Sequence, residues 1–134
     1  MTKHRFKLYH GNATKNRTFT ESLGHAIRGL VSALLFEANV RRQALIFLLA
    51  LTLGFWLKLA TIQFAIVLVI SVAVLTMELI NSSIEAIADA VHPDYNEHIQ
   101  RAKDMAAGAV LIVSCAAAVL GLAIFLPPIL KMLV

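Results

Sequence analysis

The chain lacks the charge that a soluble domain of its size normally carries. Only 15% of its 134 residues are charged, whereas 59% are hydrophobic, and the mean hydropathy is +0.77. A soluble domain is usually about 45–50% apolar. The single cysteine, Cys115, excludes a disulfide within one chain. The composition therefore predicts a small, single-domain integral membrane protein.

Several familiar signatures are missing as well. The N-terminus is basic, but no apolar segment follows within residues 1–18, so we do not expect a signal peptide. Residues 24–29 have the glycine spacing of a P-loop, but Leu30 and Val31 stand where Lys and Ser or Thr belong. The sequence contains no G-x-G-x-x-G motif and suggests no Ser/His/Asp or Cys/His arrangement. The standard nucleotide-binding motifs and the common nucleophilic triads are thus excluded.

Positive charge is concentrated in the first third of the chain. Eight of the twelve Lys and Arg residues precede residue 43. The positive-inside rule therefore predicts a cytoplasmic N-terminus. Residues 1–17 are polar and basic without an apolar period, which indicates a flexible arm. On a membrane protein, such an arm is expected to contact anionic lipid headgroups rather than nucleic acid.

The apolar pattern predicts four helices. Residues 18–36 form an amphipathic helix on the membrane surface, which begins with a capping-box pattern from Thr18 to Glu21. Apolar runs predict transmembrane helices at 43–60, 63–90 and 105–126, the last ending at Pro127 and Pro128. The segment 91–104 is then a cytoplasmic loop. We therefore expect an all-α membrane domain over residues 18–134.

Polar side chains interrupt the second predicted transmembrane helix. At about 100° per residue they lie on one narrow stripe of that helix. A charged residue within a transmembrane helix costs about 2.5–3.5 kcal/mol on insertion scales, so three acids on one stripe predict a functional site. The alternative is that the helix leaves the membrane near Glu78 and the stripe is solvated. The stripe consists of Glu78, Asn81, Ser82, Glu85 and Asp89.

The chemistry of this stripe favours phosphoryl transfer. Mg²⁺ prefers one or two carboxylates together with substrate phosphates. Lys103 and Asp104 open the next predicted helix beside the stripe, and the lysine can offset phosphate charge. Carboxylates, a cation and a lipid-facing position together suggest phosphoryl transfer at the membrane interface, where catalysis is mainly positioning and charge neutralisation.

Three segments carry a resemblance to a known family. ELINSSIEAIAD at 78–89 closely resembles the signature of the prokaryotic diacylglycerol kinase family, and AKDMAAGAV at 102–110 and FEANVR at 36–41 resemble two further blocks. The likeness covers roughly residues 18–126. It implies a homotrimeric kinase of the bacterial cytoplasmic (inner) membrane. Such an enzyme transfers the γ-phosphoryl group of MgATP to the hydroxyl of a membrane lipid.

The resemblance also implies roles for individual residues. Glu78 matches the general base, and Glu37 and Glu85 match the ligands of the metal–nucleotide. Asn81, Ser82, Asp89 and Arg41 are expected to support the site. The nucleotide-binding set comprises Glu37, Glu85, Asp94, Tyr95, Asn96, Lys103 and Asp104.

The identity of the lipid and two other functions remain open at this point. Asn39, residues 106–109 and residues 124–127 resemble undecaprenol kinases more than diacylglycerol kinases, which implies a slight preference for undecaprenol as the acceptor. The acids could instead mark a proton or ion pathway, since ionisable groups in transmembrane helices often do. They could also serve a membrane scaffold, by pairing with Arg41, Arg42 and Arg101.

Overall fold

A computed structural model describes residues 18–133 of the chain, with side chains up to Met132, and that part is helical. Three of the helices are long and apolar enough to cross a membrane, and no strand occurs among the described residues. The predicted all-α fold with three transmembrane helices is therefore confirmed. The predicted basic arm at 1–17 lies outside the described residues. The helices are α1 (Phe19–Phe36), α2 (Ala38–Trp56), α3 (Thr61–Val91) and α4 (Glu97–Leu133).

Helix α1 begins with the predicted capping box. The Thr18 amide donates to Glu21 Oε2 at 3.0 Å, and the Glu21 amide donates to Thr18 Oγ1 at 3.3 Å. These reciprocal bonds satisfy two amides that the first helical turn leaves without partners. No residue of α1 is buried, and its apolar side chains, such as Phe19 and Leu23, are exposed. The described residues divide into two compact units, one ending at Val31 and one beginning at Ser32.

Helices α2 and α3 are joined by a tight turn. The Lys58 amide donates to Phe55 O, and the Leu59 amide donates to Gly54 O, both at 3.1 Å. This pair of bonds forms a Schellman motif, in which the residue after the cap adopts a left-handed conformation. That residue is Lys58, with φ 52°. The turn makes α2 and α3 antiparallel neighbours.

Gly54 lets these two helices approach closely. It is buried, and a Cβ there would lie 3.2 Å from Leu59 Cδ1 and 3.3 Å from Phe64 Cδ2. A side chain at this position requires its neighbours to move. The glycine therefore sets the spacing between the end of α2 and the start of α3.

The observed helices differ from the predicted ranges at several ends. Helix α2 begins at Ala38 rather than 43, and α4 begins at Glu97, inside the predicted loop 91–104. Asn96 explains the early start of α4, because its Oδ1 accepts the amides of His98 and Ile99. Helix α4 also continues through Pro127 and Pro128. Apolar residues follow the prolines, and within a membrane the backbone must remain hydrogen-bonded internally, which favours helix.

Helix α3 forms the centre of the second unit, because it packs against both α2 and α4. Its buried residues recur every three, four or seven positions and therefore lie on one face. The apolar core is small, and most large apolar side chains are exposed, as expected where lipid or another membrane-embedded surface covers them. The buried apolar residues are Val40, Val67, Val74 and Ile124.

Candidate active site

Two polar side chains of α3 are buried. Glu78 is 3% exposed and Asn81 is 5% exposed. Among the described residues, Glu78 Oε1 and Asn81 Oδ1 have no hydrogen-bond partner. Leaving a buried polar group unpaired costs about 1–3 kcal/mol, and such groups in native proteins call for an explanation. A hydroxyl group of a bound substrate would supply the missing hydrogen-bond donor.

Asn81 holds the next acid along the helix. Its Nδ2 donates to Glu85 Oε1 at 2.9 Å. The two residues are four apart, the spacing at which side chains on one helix face meet. Glu85 is half-buried. The bond occupies one carboxylate oxygen, so the other can bind a cation or a cationic side chain.

An ion pair joins α3 to α4. Lys103 Nζ donates to Asp89 Oδ1 at 2.9 Å, and their side chains are 27% and 70% exposed. The carboxylates of Glu85 and Asp104 also act electrostatically on the lysine ammonium. Asp104 is oriented by Gln100, whose Nε2 donates to Asp104 Oδ1 at 2.8 Å. One cation thus lies among three acids, and this surplus of negative charge favours a ligand that contains a metal ion.

The acids of α3 form a gradient of burial. Glu78 is buried, Glu85 is half-buried and Asp89 is exposed. The residues therefore run from the protein interior to the surface along one helix face. A site of this kind can bring a membrane-embedded group at Glu78 toward a water-soluble group at Asp89 and Lys103.

The start of α2 presents a further acid. Glu37 is the N-cap residue of α2, and its side chain makes no cap hydrogen bond. It is half-buried, and its carboxylate is not used to cap the helix. Arg41 donates from Nη1 to the backbone oxygen of Leu35 at 3.0 Å, and Arg42 Nη2 donates to Asn39 Oδ1. Arg41 therefore links the end of α1 to α2, whereas the bond of Arg42 lies within the first turns of α2.

Residues 24–125 match the family model described as prokaryotic diacylglycerol kinase. The chain belongs to this family. It is 34% identical over 101 residues to a diacylglycerol kinase from Escherichia coli (strain K12). These aligned residues cover 75% of this chain and 83% of that protein. It is 32% identical over 109 residues to an undecaprenol kinase from Bacillus subtilis (strain 168). That alignment covers 81% of this chain and 89% of the relative. A diacylglycerol kinase from Synechocystis sp. (strain ATCC 27184 / PCC 6803 / Kazusa) is 33% identical over 114 residues, covering 84% and 65%.

This membership identifies the chain as a lipid kinase, a phosphotransferase that acts on an alcohol group. Use of ATP follows from the kinase class. The family match spans the stripe on α3, the start of α2 and the start of α4. The residues described above are therefore the natural place to look for the active site of this prokaryotic diacylglycerol kinase family member.

The structure does not join every predicted site residue into one cluster. Asp94 and Tyr95 are exposed, with Tyr95 at 81%, and the Asp94 carbonyl oxygen accepts from His92 Nδ1 at 2.9 Å. Asn96 Oδ1 caps α4. Within residues 18–133, no hydrogen bond or ion pair links these three residues to the acids of α3. Ser82 is half-buried on the predicted stripe.

Sequence reasoning missed three interactions in this kinase. Gln100 was not singled out, although it lies four residues before Asp104, the spacing that allows their side chains to bond. The bond from Asn81 to Glu85 has the same spacing and was equally detectable. The pairing of Asp89 with Lys103 carried no such signal, since it crosses a turn.

The donor set of this lipid kinase suits a metal held partly by its substrate. Among residues 18–133, no group of three His, Cys, Asp or Glu residues could hold a metal ion. Mg²⁺ in kinases usually takes one or two carboxylates and completes its coordination with phosphates and water. Glu85, with one oxygen fixed by Asn81, and Glu37, with no cap bond, provide carboxylates of that type.

Proposed function

We propose that this enzyme transfers the γ-phosphoryl group of MgATP to the hydroxyl of a long-chain lipid alcohol. Undecaprenol is the favoured acceptor and diacylglycerol the alternative. The observation that carries this proposal is the buried carboxylate of Glu78, whose Oε1 has no partner in the described chain. It lies on the same helix face as the acids that approach Lys103.

Glu78 is the proposed general base. The lipid hydroxyl oxygen attacks the γ-phosphorus while the bond to the β–γ bridging oxygen breaks. Glu78 accepts the hydroxyl proton, and ADP leaves with the bridging oxygen. The reaction needs no covalent enzyme intermediate, since alignment and charge stabilisation supply most of the catalysis. The low exposure of Glu78 also keeps competing water from the attacking position.

The charged cluster of Lys103, Glu85, Asp89 and Asp104 is the proposed nucleotide site. Lys103 releases its ion pair with Asp89 and binds phosphate oxygens instead. Asp104 remains oriented by its hydrogen bond from Gln100. Glu85 and Glu37 are the proposed metal ligands. Bound Mg²⁺ would neutralise phosphate charge in a cluster rich in carboxylates. Asp94, Tyr95 and Asn96 are the proposed contacts to the nucleoside. Their position next to the start of α4 supports this, and Asp94 and Tyr95 are exposed there.

Assembly and orientation are part of the same proposal. We expect a homotrimer in the bacterial inner membrane, with the N-terminus and the α3–α4 turn in the cytoplasm. The large exposed apolar surface of α2, α3 and α4 supports both lipid contact and helix association. Cytoplasmic placement of the α3–α4 turn gives the charged cluster direct access to ATP. Anionic headgroups are the proposed partners of the basic arm.

The preference for undecaprenol rests on local sequence features. Asn39, residues 106–109 and residues 124–127 resemble the corresponding segments of undecaprenol kinases. Relatives with both names have similar identity to this chain, 34% and 32%.

The test is phosphate transfer from γ-labelled ATP in mixed micelles containing Mg²⁺. Undecaprenol, diacylglycerol and ceramide are assayed in parallel, and we expect labelled undecaprenyl phosphate as the main product. Glu78→Gln should abolish transfer while the protein remains folded. The matched control is Glu97→Gln, which removes an exposed acid paired with Arg101 and should keep activity.

The two alternative functions, an ion pathway and a membrane scaffold, make different predictions. A proton or ion pathway predicts flux without nucleotide and no thermal stabilisation by MgATP. A scaffold in which the acids serve only ion pairs predicts that Glu85→Gln destabilises the fold. The kinase proposal predicts a folded, inactive Glu85→Gln variant with weakened MgATP binding. Retained activity in that variant contradicts the metal-ligand assignment.

A further inference from the structure

Helix α1 has a broad apolar face that is exposed along its length. At about 100° per residue, six of its large apolar side chains fall within an arc of roughly 120°, and each is 43–82% exposed. One residue, Glu37, separates the end of α1 from α2, a helix long and apolar enough to cross a membrane. The bilayer surface therefore lies within reach of α1 and is the partner that its apolar face fits. The six side chains are Phe19, Leu23, Ile27, Leu30, Val31 and Leu34.

The opposite face of α1 carries no net charge. Glu21 and Arg28 are the formally charged residues of the helix, and their charges cancel. His25 adds none in this arrangement. The Arg28 guanidinium can only donate, so His25 Nδ1 accepts the bond at 2.8 Å and the ring is neutral. Helices that bind anionic membranes by charge are instead rich in Lys and Arg on this face, so insertion of α1 must be driven by its apolar side chains. Up to Ser32, the remaining positions on this face are small residues, namely Ser22, Gly24, Gly29 and Ser32.

We propose that α1 responds to the packing of lipid headgroups: its apolar face inserts where headgroups leave hydrocarbon uncovered, and its polar face adds no attraction to anionic lipid. Lipids with small headgroups leave such gaps. A lipid alcohol has only a hydroxyl as its headgroup, so accumulation of the acceptor favours insertion; this link rests on the proposed function. Insertion is coupled to the active site through the chain that follows α1. Arg41 Nη1 bonds to Leu35 O there, and Glu37, a proposed metal ligand, directly follows the helix.

The first test measures insertion without catalysis. Ile27→Cys in a Cys115→Ser background places one environment-sensitive fluorophore on the apolar face, since Cys115 is the single cysteine of the chain. The full chain is reconstituted into vesicles that contain a constant fraction of phosphatidylglycerol. Replacing phosphatidylcholine by phosphatidylethanolamine, which has a smaller headgroup and no acceptor hydroxyl, should shift the emission to the blue, as should diacylglycerol without nucleotide. Leu23→Ala should lower the ratio of inserted to free helix about tenfold, because it removes apolar area from that face. Ser22→Ala, on the opposite face, is the matched control and should leave this ratio unchanged.

The second test separates packing from charge. Gly29 lies on the polar face, and a Cβ built there meets no heavy atom within 4 Å, so a longer side chain fits. Gly29→Lys and Gly29→Gln have similar helix propensity and differ by one charge. In the same labelled background, high salt should leave insertion unchanged in the parent chain and in Gly29→Gln. Gly29→Lys should insert about fivefold more at low salt than at high salt, because a lysine near the surface is attracted to phosphatidylglycerol.

The outcomes separate this inference from the proposed function. Equal insertion in phosphatidylcholine and phosphatidylethanolamine overturns it, and so does insertion of the parent chain that disappears at high salt. A blue-shifted fluorophore that lipid-borne nitroxides do not quench lies against protein, such as a second copy of the chain, and also overturns it. At a fixed fraction of acceptor, phosphatidylethanolamine should raise the transfer rate in the wild type more than in Leu23→Ala; equal effects overturn the coupling to the active site. Absence of transfer to every lipid overturns the proposed function, and insertion that follows headgroup packing would then still support the inference.

Discussion

Replacing Asn81 by leucine tests whether the buried amide orients the proposed metal ligand Glu85. Leucine has nearly the same shape as asparagine, so Asn81→Leu removes the 2.9 Å bond to Glu85 Oε1 without emptying the site. A hydrogen bond to a charged group contributes about 1.5–3 kcal/mol. Glu85 is half-buried and can recover water, so we use the lower end of that range. Since about 1.4 kcal/mol corresponds to tenfold, kcat/KM for MgATP should fall about tenfold.

Stability should respond differently from activity in the same variant. Asn81 Oδ1 is buried without a partner in the described chain, and an unpaired buried acceptor costs about 1–3 kcal/mol. Asn81→Leu removes this penalty together with the hydrogen bond, so the two effects largely cancel. The free energy of unfolding should therefore change by less than about 1 kcal/mol.

The assay measures kcat/KM for MgATP at saturating lipid, together with thermal unfolding in the same detergent. Ser83→Ala is the control, because it removes an exposed hydrogen bond to Leu79 O on the same helix and should leave both quantities nearly unchanged. Asn81→Asp should reduce activity further, since it places a second carboxylate four residues from Glu85. A large loss of stability in Asn81→Leu with unchanged kcat/KM would refute the positioning role.

Three further predictions concern the turns and the ion pair. Lys58→Gly should stabilise the protein by about 1 kcal/mol in thermal unfolding, because the residue is left-handed with φ 52°; destabilisation would contradict this reading of the turn. Gly54→Val should destabilise it by about 1–3 kcal/mol, because even a Cβ at this position would lie 3.2 Å from Leu59 Cδ1; an unchanged melting temperature would show that the α2–α3 spacing adjusts freely. Asp89→Asn removes the charge paired with Lys103, so kcat should change while the KM for the lipid does not. A change confined to the lipid KM would argue against placing this pair at the nucleotide.

Much of the architecture was predictable because helical periodicity is a local property. The capping box at Thr18 and Glu21 and the stripe from Glu78 to Asp89 both follow from spacing along one helix. The start of α4 was not predicted, because the polar segment after Val91 resembles a loop. Its early start depends on Asn96, whose Oδ1 caps the helix.

By itself, the sequence determined the all-α membrane class, the three apolar helices and the alignment of the acids on one face of α3, since each depends on composition or on the 3.6-residue period. Only the tertiary structure decided which parts of that face are covered. Hydropathy cannot distinguish an apolar side chain that contacts lipid from one that contacts a helix. The burial of Glu78 and the pairing of Asp89 with Lys103 both arise where α3 meets its neighbours. Contacts between helices depend on packing across turns, which no local pattern encodes.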